Sequence, residues 1–190
     1  MADRKHQILD AAADFLQTRS YTSFSYQDLS DRLGITKAAI HGHFRTKEKL
    51  GAALVDRYMT NATNRLKAIS NSSPDPWDQF DAFIDSMYQN FLKNEKICPI
   101  GALQAEFHVI PDSMQQGVGH LRRIVTRWLA DTLKAGRDAG SMAFPGTPEE
   151  QAALVFAALQ GALQNARADG HQIFNTVVNQ IKKGILVRAD

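Results

Sequence analysis

The sequence of 190 residues contains a single cysteine, and this scarcity excludes whole classes of protein. One thiol cannot form an intramolecular disulfide or the cysteine-rich framework of a structural zinc site. Long apolar runs are also missing, since the longest, residues 152–159, falls well short of the roughly 18 residues that cross a bilayer. The first seven residues are largely polar and no apolar stretch follows them, so we expect no secretory signal and a cytoplasmic protein.

The sequence also lacks the short motifs on which common enzyme chemistries depend. It has no glycine-rich phosphate loop, no serine nucleophile elbow and no helical pair of histidines four residues apart. His41 and His43 stand about 200° apart around a helix, so they cannot bind one metal ion from that helix. Glu106 and His108 are separated in the same way. Catalysis in a helical pocket is therefore the least favoured function, and we predict neither a metal nor a cofactor.

The net charge of +2 is small, but it is concentrated in one short segment. Residues 51–190 carry 14 basic and 14 acidic side chains and are neutral as a whole. Residues 1–31 sum to −2, whereas residues 32–50 sum to +4. We call residues 32–50 the basic window. Such a window indicates either a surface for a polyanion or a solvated helix face, and the charge alone does not decide between them.

Apolar residues recur with the period of an α-helix along almost the whole chain, and no segment alternates with the period of a strand. Capping residues, glycines and prolines divide this pattern into about nine segments. We therefore predict an all-α protein, with an N-terminal three-helix bundle over residues 1–46 and a larger helical domain over residues 47–190. The predicted helices span about residues 4–17, 26–33, 37–44, 46–70, 77–94, 100–108, 112–139, 148–168 and 171–187.

Residues 25–44 have the pattern of two short helices joined by a turn that contains Gly34. This is the arrangement of the helix-turn-helix, whose second helix enters the major groove of DNA. The basic window coincides with that second helix, which a merely solvated face does not explain. Hydroxyls and free N–H groups at the start of a helix can donate hydrogen bonds to DNA phosphates. The predicted DNA-binding residues are Ser25, Tyr26, Gln27, Thr36, Lys37, Ala38, His41, His43 and Lys47.

Residues 24–50 also resemble the DNA-binding signature of TetR-type (TetR/AcrR-like) transcriptional regulators. The similarity rests on the Leu-Gly-Ile-Thr-Lys turn of residues 33–37, and on the His-Phe pair at 43–44 that Thr-Lys-Glu-Lys-Leu follows at 46–50. It covers about residues 4–57, and it departs at Gly42, where the family usually has a tyrosine or histidine. The resemblance implies a homodimer in the bacterial cytosol that binds palindromic operator DNA. It also implies a small ligand in the C-terminal domain that lowers DNA affinity.

The segment 152–163 is apolar nearly all round, so a helix there must be buried on more than one side. One side can pack on its own domain and the other on a second subunit. The alternative is a helix that is wholly buried within a monomer. The predicted dimer interface consists of Leu154, Ala157, Ala158 and Gly161 on this helix, with Phe174, Val178 and Ile181 on the next.

Aromatic and methionine side chains are concentrated in the helix predicted at 77–94, where most of them serve as core. Such side chains also line adaptable apolar pockets. The predicted pocket for a small apolar or electrophilic effector consists of Phe83, Met87, Phe91, Cys98, Leu103, Phe107, Met114 and Trp128.

Cys98 lies at a predicted helix start, after Lys93 and Lys96. A thiol in such a setting can react readily with electrophiles or oxidants. The layout resembles that of TetR-type repressors that sense electrophiles, and the alternative is an inert thiol that packs as a small apolar group.

The residues alone leave one further class of function open, a helical adaptor whose basic window binds acidic proteins. Double-stranded DNA and an acidic protein differ as partners, because binding to DNA falls steeply and predictably with salt. A binding assay at two salt concentrations therefore separates this alternative from a DNA-binding regulator.

Overall fold

The computed structural model describes residues 3–93 and 95–186, and the regular structure within those ranges is helical. The single extended pairing in the same ranges is an isolated bridge between Met142 and Leu186. The prediction of an all-α protein is confirmed. The helices of the described chain are α1 (Arg4–Thr18), α2 (Tyr26–Leu33), α3 (Lys37–His43), α4 (Lys47–Ser72), α5 (Pro76–Leu92), α6 (Pro99–Ala105), α7 (Asp112–Asp138), α8 (Pro148–Asp169) and α9 (Gln172–Ile185).

The helices begin and end where local hydrogen-bond chemistry favours it. Ser25 forms a capping box with Asp28 at the start of α2, and Thr147 forms one with Glu150 at the start of α8. Gly34 ends α2 in a left-handed conformation with φ +62°. A residue with a Cβ seldom adopts this conformation. These local signals explain why the sequence located most helix boundaries. The predicted end of the last helix at 187 lies outside the described residues.

The chain divides into two compact units that are not simple halves of the sequence. The first contains residues up to Asn61 together with Lys96–Arg122, and the second contains Ala62–Glu95 together with residues from Arg123 onward. The division falls within α4 and α7, so each of these helices contributes to both units. It differs from the expected boundary at residue 46, because a segment about fifty residues further along the chain packs with the N-terminal helices.

The first unit has its apolar core where α1, α2 and α3 meet. Ile8, Leu29 and Ile40 are fully buried there. Hydrogen bonds also join α1 to the later segment, since the Gln17 side-chain amide donates to the Ile97 carbonyl over 2.9 Å and the Ile97 N–H donates to the Gln17 carbonyl over 3.3 Å. A small helical unit gains stability from such additional packing.

The second unit has a core of aromatic side chains between α5, α8 and α9. The ring of Phe174 stacks on that of Tyr88, with the centroids 4.7 Å apart and the planes 6° from parallel. Phe83 is fully buried and its ring lies 5.4 Å from that of Trp128. The aromatic stripe predicted on the fifth helix therefore serves as core.

Within the described residues, no helix has both the length and the apolar character that crossing a membrane requires.

Candidate nucleic-acid interface

The second helix of the helix-turn-helix, α3, is anchored through one buried residue. Ile40 has no exposed surface, and the N–H of Ala39 donates to the hydroxyl of Thr36 over 3.2 Å at the start of the helix. Phe44 follows the helix and is also buried. A helix of seven residues is too short to be stable alone, so these anchors are what hold α3 in shape.

The face of α3 opposite Ile40 is exposed and consists of small residues. Ala38 and Gly42 lie about 160° and 200° around the helix from Ile40, so they are the residues that project furthest from the core. Both are exposed, and a Cβ built at Gly42 would meet no atom within 4 Å. The fold therefore does not require glycine at position 42.

Polar and basic side chains flank this open face. Lys37 and His43 are exposed, as the sequence predicted. His41 is exposed too, and its Nδ1 lies 3.2 Å from the Arg45 carbonyl while its ring packs edge-on against Tyr26 at 4.7 Å. The carbonyl contact and the ring contact orient the imidazole without burying it. The arrangement suits hydrogen bonds to phosphates or base edges in a groove.

Tyr26 does not belong to this surface, although it was predicted as a DNA contact. It is 8% exposed, and its hydroxyl donates to the Phe44 carbonyl over 2.8 Å. Burial raises the pKa of the Tyr26 phenol to about 12. The physical reason is helical periodicity, because Tyr26 shares the inward stripe of α2 with Leu29. Tyr26 thus supports the end of α3 from within the core.

The start of α2 presents two of the other predicted contacts. Ser25 is exposed, accepts hydrogen bonds from the N–H groups of Gln27 and Asp28, and donates its own N–H to Asp28 over 2.7 Å. The Ser25 hydroxyl also donates to the Asp28 carboxylate over 2.5 Å, and this bond, together with the one from the Ser25 N–H, lowers the pKa of that carboxyl. Gln27 is exposed, and its amide donates to Asp31 over 2.6 Å. Both predicted residues therefore stand at the surface, in a fixed geometry.

Lys47 has a different position from the one that the sequence suggested. Its ammonium donates to the Phe24 carbonyl, and its Nζ lies 4.7 Å from the ring centroid of Tyr21 and 4.6 Å from that of Phe24. Burial is the largest influence on the pKa of Lys47 and lowers it. The charge is thus engaged with the chain between α1 and α2.

Three exposed cations of the basic window were not among the predicted contacts, and one of them, Arg32, is paired with Asp14. Arg45 and Lys49 are exposed, on either side of Thr46, whose hydroxyl accepts a hydrogen bond from the Lys49 N–H over 3.1 Å at the start of α4. The signal that could have found them is the charge of residues 32–50 itself, since both contribute to its +4.

The predicted effector-pocket residues fall into separate units. Phe83, Met87, Phe91 and Trp128 belong to the second unit, and Cys98, Leu103, Phe107 and Met114 belong to the first. Most are buried, but Phe107 is 38% exposed and Trp128 and Cys98 are half-buried. Among the described residues, no group of three or more histidine, cysteine or carboxylate side chains is placed to hold a metal ion.

A shallow groove of about 410 Å³ lies on the first unit, along α1 and the end of α2. Its lining is polar and charged, and its carboxylates are already paired. Asp10 accepts a hydrogen bond from Arg57 over 2.6 Å, while Asp14 forms ion pairs with Arg32 and Lys96. This groove therefore does not suit the apolar effector that the sequence predicted.

The predicted dimer residues divide between a surface face and the core. Leu154 is 63% exposed, Ala157 and Gly161 are exposed, and Ala158 and Ile181 are half-buried. Phe174 and Val178, in contrast, are buried within their own unit. The cause is that α9 has two neighbouring apolar stripes, and the outward one consists of Ile173, Val177 and Ile181.

A short helix that is held by a core, with basic and imidazole side chains beside its exposed face, is the recognition element of the helix-turn-helix class of DNA-binding proteins. Comparison with known proteins agrees. Residues 8–54 match the family described as bacterial regulatory proteins, tetR family. The chain is also similar to the crystal structure of a TetR-family transcriptional regulator from Agrobacterium tumefaciens, with 28% sequence identity and a TM-score of 0.92. The similarity covers 96% of this chain and 97% of that chain. The resemblance to TetR-type transcriptional regulators noted in the sequence is therefore confirmed, with residues 8–54 as the segment that matches the family.

A second relative is the HTH-type transcriptional repressor NemR of Escherichia coli (strain K12). It is 24% identical over 168 residues, which cover 87% of this chain and 84% of NemR. The crystal structure of E. coli NemR in its reduced form has a TM-score of 0.81 and 23% identity, and covers 99% of this chain and 100% of that one. The structural likeness to NemR shows the shared fold.

Two neighbouring lysines give a matched test of which side chains meet phosphate. We expect Lys47→Met to lower the free energy of unfolding by about 1 kcal/mol, because it removes a hydrogen bond and ring contacts. We expect Lys49→Met to leave stability unchanged and to reduce the salt slope of DNA binding by about one. Urea denaturation and titrations of DNA at several salt concentrations measure both. If Lys47→Met instead reduces the salt slope and leaves stability unchanged, Lys47 contacts phosphate and the account is contradicted.

Proposed function

We propose that the protein is a homodimeric, ligand-responsive transcriptional repressor that binds palindromic operator DNA. The observation that carries the proposal is the exposed face of α3, where small residues project furthest and basic and imidazole side chains flank them. A helix of this kind fits the major groove, where each base pair presents a distinct pattern of donors, acceptors and methyl groups. The repressor direction follows the name of the relative NemR.

The proposed contacts divide by chemistry. Ser25, Gln27, Thr36 and Lys49 stand at helix starts and suit phosphate oxygens, which fix the register of the protein on the duplex. The remaining proposed contacts, on α3, are Lys37, Ala38, His41 and His43, and they suit base edges. The absence of a side chain at Gly42 lets the helix backbone come closer to the groove than a larger residue would allow.

Two subunits are needed for an operator with two half-sites. We assign the contact between subunits to the outward face of α8 and α9, which contains Leu154, Ala157, Ala158, Gly161 and Ile181. Small residues there allow close packing of helices, and a two-fold axis would place the two recognition helices one DNA turn, or a multiple of it, apart. The neutrality of residues 51–190 suits a part of the protein that does not itself bind DNA.

A selection of DNA from a randomised duplex library tests the proposal and supplies an operator for later measurements. We expect an inverted repeat. We expect Lys37→Ala to weaken binding to the selected site about tenfold, and to weaken binding to random DNA less, because a base contact discriminates between sequences.

The matched control is Lys67→Ala, which removes another exposed lysine, from the part of α4 in the other unit. It should leave both affinities unchanged. Failure to enrich any sequence, or equal losses for the two lysine variants, contradicts recognition through α3.

The subunit contact has its own test. Leu154→Glu places a charge on the proposed interface, and because Leu154 is 63% exposed the substitution should not unfold the chain. We expect it to convert dimers to monomers in sedimentation experiments and to weaken operator binding at least tenfold. Val109→Glu is the control, since Val109 is 68% exposed and lies outside this face. A dimer that survives Leu154→Glu places the subunit contact elsewhere.

The effector is proposed to be a small apolar or electrophilic molecule, with Cys98 as the reactive group in the electrophilic case. Cys98 stands directly before α6 and is half-buried, which leaves it open to a small reagent. We expect iodoacetamide to label Cys98 in the native protein and to release the operator. The variant Cys98→Ser should keep the operator under the same treatment. Absence of labelling, or equal release from Cys98→Ser, rejects Cys98 as a sensor.

A further inference from the structure

The connection between α1 and α2 determines where the helix-turn-helix begins. It runs from residue 19 to Ser25, and Ser20 has a φ of +141°, a conformation that residues with a side chain seldom adopt. Ser25 caps α2 directly afterwards. A shift in this connection would therefore move the start of α2 and, through it, the exposed face of α3.

A carboxylate from a distant part of the sequence holds this connection. Glu106, at the end of α6, accepts a hydrogen bond from the Tyr21 N–H over 2.6 Å through Oε2 and one from the Thr22 N–H over 3.1 Å through Oε1. The Thr22 hydroxyl also donates to Oε1. Hydrogen bonds from backbone N–H groups to an ionised carboxylate are stronger than those between neutral groups. Glu106 thus binds two successive residues with both of its oxygens.

Lys47 holds the same connection with the opposite charge. Its ammonium donates to the Phe24 carbonyl, and the Tyr21 hydroxyl donates to the Lys47 carbonyl over 2.9 Å. The charge of Glu106 acts to raise the pKa of Lys47, against the larger effect of burial. The N–H groups at the start of the connection therefore meet an anion, and the carbonyl near its end meets a cation.

We propose that Glu106 is a positioning residue for DNA recognition. It fixes the Tyr21–Thr22 backbone and thereby fixes Ser25 and Gln27 relative to α3, although it lies far outside residues 8–54, which match the family. The inference rests on the proposed DNA binding and adds a residue to it. The simpler account is that Glu106 is a surface carboxylate with no part in recognition.

The two accounts predict effects of opposite sign. Glu106→Gln removes a negative charge from the unit that contains the basic window. If charge alone matters, every DNA sequence should be bound equally well or more tightly, because phosphates are repelled less. If Glu106 positions the helix-turn-helix, the selected operator should be bound more weakly, since an amide nitrogen cannot accept a hydrogen bond from a backbone N–H. Random DNA, which needs no fixed register, should not be bound more weakly.

The experiment measures the dissociation constants of the wild-type dimer, Glu106→Gln and Glu149→Gln for the selected operator and for a random duplex at two salt concentrations. Glu149 is an exposed glutamate in the first turn of α8 in the other unit, so it controls for the loss of one charge. We expect Glu106→Gln to lose about tenfold in affinity for the operator and to keep or gain affinity for random DNA. Unchanged or tighter operator binding by Glu106→Gln overturns the inference. Absence of operator binding by the wild-type protein overturns the proposed function instead.

A second variant keeps the test valid if Glu106→Gln folds poorly. Thr22→Val removes one donor to Glu106, preserves the size of the side chain and leaves the net charge unchanged. We expect it to lower the ratio of operator to random affinity about threefold in the wild-type background. Where Glu106→Gln does fold, the same change in its background should have a smaller effect, because the two residues act through one contact. Additive effects, or no effect of Thr22→Val on the ratio, contradict the proposed role of Glu106.

Discussion

The structure depends on the burial of one side chain, Ile40, in a helix that cannot exist alone. With seven residues, α3 forms too few internal hydrogen bonds to offset the entropy lost in ordering its backbone. Burial of Ile40 against the core of α1 and α2 supplies what the helix lacks. Because Ile40 faces inward, the opposite side of α3 faces outward and is free to enter a groove. Stability and recognition therefore follow from the same orientation of one helix.

The neighbouring contacts all restrict that orientation. The Thr36 hydroxyl closes the first turn of α3, and the Tyr26 hydroxyl holds the Phe44 carbonyl just beyond its last turn. Further back, Glu106 and Lys47 hold the connection that precedes α2. The DNA-binding unit is thus assembled from two separate stretches of sequence, and the shared helices α4 and α7 continue from it into the second unit.

Features that are encoded locally could be predicted from the sequence. Apolar periodicity, capping residues and the left-handed Gly34 identified the helices, and the +4 window includes α3, whose outer face is exposed. The inward position of Tyr26 could also have been predicted, since Tyr26 shares an apolar stripe of α2 with Leu29. The contacts of Lys47 and Glu106 could not be predicted, because they join residues that are distant in sequence and meet only in the folded chain. On α9, two adjacent apolar stripes made Phe174 and Val178 candidates for the dimer interface, but both are buried within their own unit, whereas Ile181 is half-buried.

The central claim is that the exposed face of α3 is the surface that meets DNA. Hydrogen–deuterium exchange of the backbone amides, measured with and without the selected operator, tests it most directly. Amides of residues 36–43 and of the start of α2 should become strongly protected when the operator is present, because binding removes water from the helix and stabilises it. Protection confined to α8 and α9, with residues 36–43 exchanging at the same rate in both samples, would contradict the account.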